Sequence, residues 1–184
     1  MSTSDSFDEA LASLRQVTYR PEFEVEEAPA PARLAPFSVA LSADVVVDND
    51  ELAMGRFVLL HDPDGVEEWD GNFRVVTFIR AELDPETAAD PLLFDVGWSW
   101  LRESIEGLGA RALGGAITIN ASQSYGTMAD RPGEGTIEVR ASWTPPNTDV
   151  GQHVRAWIRT LETAAGLEPL PDGVTMLPLR RSSP

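Results

Sequence analysis

Residues 92–108, Leu-Leu-Phe-Asp-Val-Gly-Trp-Ser-Trp-Leu-Arg-Glu-Ser-Ile-Glu-Gly-Leu, decide how the rest of the chain is read. Phe94, Trp98, Leu101, Ile105 and Leu108 recur at alternating steps of four and three, which gathers them into one stripe on a 3.6-residue helix. Asp95, Ser99, Arg102, Glu103 and Glu106 fall opposite. A helix with one apolar stripe has a single face to bury, and the flanking stretches read as strands, so this helix lies on a sheet. Trp100 is the exception, pointing about 160° from the centre of the stripe. There it caps the core edge or meets a partner.

On the N-terminal side of this helix the period changes to two. Phe37, Val39, Leu41, Ala43, Val45 and Val47 alternate with Ser38, Ser42 and Asp44, giving a first strand over 37–47. Asp48-Asn49-Asp50 makes a turn, 54–61 reads as a second strand, and 72–83 as a third with Phe73, Val75, Thr77, Ile79, Ala81 and Leu83 on one face. On the C-terminal side, Gly107, Gly109, Gly114 and Gly115 end the helix, and 116–125 and 136–143 read as a hairpin around 129–133. Residues 149–165 form the last helix, with Val150, Val154, Trp157, Ile158, Leu161 and Ala165 as its stripe and Gly166 as its stop.

The two ends read differently. Ser6 and Glu9 have capping-box spacing ahead of Ala10, Leu11, Leu14 and Val17, which predicts a helix over 7–17. Residues 20–36 hold four prolines and four glutamates and read mainly as a connector, although Phe23 and Val25 alternating with glutamate leave room for a short edge strand. Residues 167–184 are a proline-rich tail. The expected organisation is therefore an N-terminal helix and connector over 1–36, an α+β domain over 37–166 and a tail over 167–184. The order α-βββ-α-ββ-α predicts an antiparallel sheet of about five strands with two main helices on one face.

Composition narrows the chemistry. The chain of 184 residues carries a formal charge of -16, which disfavours nucleic acid, whose affinity rests on cationic contacts to phosphate. All 14 basic residues are arginine, so Schiff-base and P-loop lysine chemistry is excluded. No cysteine is present, which removes disulfides and thiolate nucleophiles and fits a reducing compartment. No apolar run reaches the roughly 20 residues of a membrane span, and the first residues lack the order of a signal peptide. A cytoplasmic protein that does not enter the membrane is expected, and no cofactor is implied.

His61-Asp-Pro-Asp-Gly65 after an apolar strand, Asp90-Pro-Leu-Leu before Val96-Gly-Trp-Ser-Trp-Leu101, and Ala141-Ser-Trp-Thr-Pro145 followed by His153 and Ala156-Trp157 resemble an uncharacterised actinobacterial family, domain of unknown function 3000. The likeness runs over about 11–179. It implies an actinobacterial, cytoplasmic protein and carries no activity, cofactor or catalytic residue with it.

Three candidate sites emerge from the residues themselves. On the sheet face turned away from the helices fall Arg74, Val76, Phe78, Arg80 and Glu82, joined by Thr118, Asn120, Ser122, Ser124, Glu138, Arg140 and Ser142 from the hairpin. A merely wet face would rarely carry Val76 and Phe78, and apolar groups mixed with arginine suit a protein interface. This leading reading is a non-catalytic binding or adaptor domain, engaging an unknown protein partner or a second copy, with Trp100 as a further contact. Alternatively the 20–36 connector or the tail covers that face. The second site is the acidic stretch His61, Asp62, Asp64, Glu67, Glu68 and Asp70, read as an enzyme or metal-dependent centre at His61, Asp62 and Asp64 with His153 as an optional addition, although its spacing fails the EF-hand pattern and its residues are also turn formers. The third is a small anionic metabolite held by Arg74, Arg80 and Arg140, which requires the three guanidinium groups to converge. His153, near the start of the last helix, is held neutral by the helix dipole in this reading.

Overall fold

The computed structural model describes residues 3–31 and 33–170. The predicted tail therefore falls largely outside the described residues. Among them the order is α1 (Thr3–Arg15), β1 (Phe23–Ala28), β2 (Phe37–Val47), β3 (Asp50–Val66), β4 (Gly71–Leu83), α2 (Pro85–Ala88), α3 (Leu93–Ile105), β5 (Arg111–Ser122), β6 (Glu134–Thr144) and α4 (Val150–Ala164). The strands form one open antiparallel sheet in the order β1-β2-β3-β4-β6-β5.

The sheet thus has six strands rather than about five. The additional strand is β1, cut from the stretch expected to be mainly a connector: Phe23 and Val25 alternate with glutamate, and Phe23 is buried against the helical layer. Prolines bound it at Pro21 and Pro29, where the lost backbone donor does no harm. β2 and β3 are joined by a two-residue turn in which Asp48 and Asn49 both take positive φ, 52° and 67°, the geometry that matches the twist of a hairpin.

Period-two alternation sends one set of side chains into a core shared with α1, α3 and α4. From the sheet come Val39, Ala43, Val45, Phe57, Leu59, Phe73, Val75, Ile79, Ile137, Val139 and Trp143, and from the helices Phe7, Leu14, Leu101, Ile105, Val154, Trp157 and Leu161. Trp157 lies over Gly55 of β3, where a Cβ would sit 2.9 Å from the indole. The N-terminal helix is tied in by Ser13, whose hydroxyl donates to Asp149 at 3.0 Å and accepts from the backbone N–H of Gly151 at 2.9 Å, satisfying a donor in the first turn of α4.

The stripe of α3 is rotated from the expected one. Leu93, Gly97, Leu101 and Ile105 are buried, and Phe94, expected on the stripe, is 49% exposed. The reason is Gly97: a Cβ there would lie 2.8 Å from Cδ1 of Ile137, so the glycine lets the helix settle closely on β6 with that side downward. Trp100 does not project freely either. It is half-buried at the edge of the main core, beside Ser104 of α3 and Arg159 of α4.

Candidate functional site

The opposite face of the sheet is covered only in part. At one end Ala30 and Ala35, from the segment between β1 and β2, pack with Ala28 and Trp69 on Ala40, Val58 and Leu60. The rest is open. Antiparallel register sets Arg56 of β3, Phe78 of β4, Arg140 of β6 and Ala116 of β5 in one cross-strand row. The next row is Val58, Val76, Ser142 and Gly114. Between these rows lies a groove of about 440 Å³.

The electrostatics of the groove are one-sided at its centre. The Arg140 guanidinium stands 5.0 Å above the Phe78 ring and pairs with Glu138 at 2.8 Å. Cation–π contact of this kind contributes about 0.5–1 kcal/mol where exposed and holds the aromatic ring in place. Arg56 has no ion-pair or hydrogen-bond partner among the described residues. Val76, 39% exposed, and half-buried Phe78 supply the apolar floor.

The sequence-predicted face residues are therefore partly together and partly apart. Val76, Phe78 and Arg140 line the groove. Arg74 stands at its border, half-buried and committed to the hydroxyls of Ser142 and Thr144 at 2.8 and 3.1 Å, and desolvation lowers its pKa. Arg80 lines a separate depression with Glu51, Met54 and Glu82. Arg74 and Arg80 lie on one strand roughly 20 Å apart at ~3.3 Å per residue, so the two do not converge on one anion with Arg140. Trp100 belongs to the helical layer on the other side of the sheet. Arg56, Val58, Gly114 and Ala116 are groove residues that the sequence reading missed. For Arg56 and Val58 the signal was present, since both take the outward positions of the second predicted strand.

The acidic stretch does not form a loop with a centre. β3 continues through it to Val66, and Glu67–Trp69 make one 3-10 turn closed by Asp70 at φ 53°. Asp62 accepts a hydrogen bond from the backbone of Asp64 at 3.0 Å, and Asp64, Glu67, Glu68 and Asp70 are exposed. His61 turns the other way. It is 1% exposed, stacked 4.0 Å from the Phe73 ring with Phe7 and Phe37 close by, and its Nδ1 meets the Asn72 carbonyl at 2.9 Å. Among the described residues no group of three or more His, Asp or Glu side chains is arranged to hold a metal ion.

His153 does not join His61. Its Nδ1 accepts a 2.9 Å hydrogen bond from the indole N–H of Trp143, and the ring is 2% exposed. Its pKa is lowered to about 4 by desolvation on burial, with Asp149 opposing it.

The profile of a family described as "Protein of unknown function (DUF3000)" matches residues 3–175. The chain belongs to the DUF3000 family. No curated protein and no solved structure matches it. In this DUF3000 chain no helix among the described residues is long and apolar enough to cross a membrane. The match to DUF3000 spans all six strands, including the groove and the covered end of the sheet.

Proposed function

We propose that this chain is a non-catalytic protein-binding or adaptor domain that docks a partner protein on the open face of its sheet. The observation that carries the reading is the groove beside Phe78: an aromatic floor under an arginine, with a second arginine in the same row that has no partner among the described residues. Aromatic and arginine side chains are the types that dominate binding energy at protein interfaces. The connector covers the Val58–Leu60 end of this face and leaves Val76 and Phe78 outside the small cluster beneath it, so the protein's own chain does not occupy the groove among the described residues. A cytoplasmic location and an actinobacterial origin belong to the same proposal, supported by the absence of cysteine and of lysine.

The test is an affinity pull-down from an actinobacterial lysate with tagged wild type and a Phe78→Glu variant. Phe78 projects from the outer face, so the variant keeps its fold, which circular dichroism checks. A protein recovered in near-stoichiometric amount by wild type and lost by the variant is the expected outcome. Equal recovery by both, or by neither, overturns the reading.

A further inference from the structure

We propose that the groove of the open sheet face is a binding site for a small aliphatic carboxylic acid, with its carboxylate held by Arg56 and Arg140 and its chain against Val58, Val76 and Ala116. The inference goes beyond the docking of a partner and does not require it, although an acid bound here would exclude a partner from the same surface. The groove volume of about 440 Å³ falls within the roughly 300–1,000 Å³ of small-molecule sites, which are mostly apolar with a few polar groups that fix the ligand.

The head group follows from the charges. Arg56 and Arg140 stand in one cross-strand row on either side of Phe78, about 10 Å apart at two strand spacings. Both line the groove, and among the described residues no other charged side chain does. Arg56 is exposed and has no ion-pair or hydrogen-bond partner among the described residues. Arg140 donates from Nη1 to Glu138 at 2.8 Å, and its Nε and Nη2 make no hydrogen bond among the described residues. Two guanidinium groups against one glutamate leave a single positive charge, in a chain whose formal charge is -16. One carboxylate balances it, and its two oxygens match the forked donors of a guanidinium. A phosphate dianion would bring more charge than the groove offsets.

The body of the ligand follows from what the rest of the lining leaves unspent. The Ser142 hydroxyl accepts from Arg74 at 2.8 Å and the Thr77 hydroxyl donates to the Ala141 carbonyl at 3.0 Å, so both are engaged within the protein. Val58, Val76 and Ala116 offer only hydrocarbon. The Arg140 guanidinium stands 5.0 Å above the Phe78 ring, which closes that face to stacking and favours an aliphatic over an aromatic body. At the β2 end the groove stops where Ala30 and Ala35 pack with Trp69 on Ala40 and Val58. From there it crosses the strands from β3 to β5, three strand spacings or about 14 Å, which suits a linear chain rather than a compact one.

Decanoate is the probe, with acetate as the head without the chain and decyltrimethylammonium as the same chain under a cationic head. Titration calorimetry on the full chain measures affinity, and amide shifts in solution NMR locate the site. The expected result is decanoate binding with shifts concentrated at 56–58, 76–78, 114–116 and 140–142, and about tenfold or more weaker binding of the other two probes. Arg56→Ala removes one half of the clamp, and Ala116→Ile fills the groove while leaving both arginines. Each is expected to weaken decanoate about tenfold and, at an exposed position, to keep the wild-type melting curve. Equal binding of decanoate and decyltrimethylammonium would mean adsorption to apolar surface alone and overturns the proposal. So does unchanged affinity in Arg56→Ala, or shifts confined to the helical layer. The assay needs no partner: a pull-down partner lost with Phe78→Glu, beside a chain that does not bind decanoate, ends this proposal and leaves the docking reading standing.

Discussion

Replacing His153 by glutamine should remove a defined part of the pH dependence of stability. His153 is 2% exposed, and protonating its Nδ1 would both charge a buried ring and break the bond from Trp143. Its folded pKa is about 4 against an ordinary 6.5. Between these values the unfolded chain binds the proton and the folded chain does not, so stability falls as pH falls, starting near pH 6.5 and levelling off below pH 4. Integration gives a loss of about 2 kcal/mol between pH 7.5 and pH 5, and about 3 kcal/mol by pH 4. Glutamine can still accept from the Trp143 indole but cannot titrate, so His153→Gln is expected to be less stable at pH 7.5 and to lack this slope. Urea unfolding followed by tryptophan fluorescence at several pH values measures both. The difference between the two profiles isolates His153 from every group that the two proteins share. Parallel profiles would refute the reasoning, because the ring would then be as free to protonate folded as unfolded.

Gly55→Ala would push a Cβ to 2.9 Å from the Trp157 ring and 3.1 Å from the Phe78 carbonyl, neither of which can yield cheaply. Overpacking of this kind costs about 2 kcal/mol, or roughly 4–8 °C in Tm for a chain of this size, and calorimetry reads it; an unchanged Tm would mean that α4 does not rest on β3 there. In α3, Leu101→Ala should cost about 3 kcal/mol and Phe94→Ser no more than about 1 kcal/mol, since Leu101 is fully buried and Phe94 is 49% exposed. Denaturant titration of the two variants decides between this order and the comparable losses that the amphipathic pattern alone suggests, since it sets both residues on one stripe.

Most of the sheet was legible because alternation is a local property. Strands 37–47 and 72–83 have the predicted faces, as Phe73, Val75, Thr77, Ile79 and Ala81 are all buried. β1 was less legible, because glutamates and flanking prolines resemble a tether until β2 is there to pair with. In α3, Phe94 and Leu93 both fit an apolar stripe; the choice between them depends on how closely Gly97 lets the helix approach Ile137, a fact about a neighbour rather than about the helix. The acidic stretch looked like a turn-rich loop for a related reason: Asp, Pro and Gly favour turns, yet here they ride on the continuation of β3.

The sequence by itself determined the class of the fold, the membership of DUF3000, the side of β4 that carries Val76 and Phe78, and the exclusion of lysine and cysteine chemistry. These follow from composition, from motifs and from a period that each strand contains within itself. Only the tertiary structure decided that β6 inserts between β4 and β5, which brings Arg140 over Phe78 and leaves β5 at one edge of the sheet. It also decided that His61 and His153 turn into separate buried sites and that Arg74 is held by hydroxyls. Strand order and the partner of each side chain are set by which surfaces bury best against one another, a sum over residues distant in the chain that no local pattern contains.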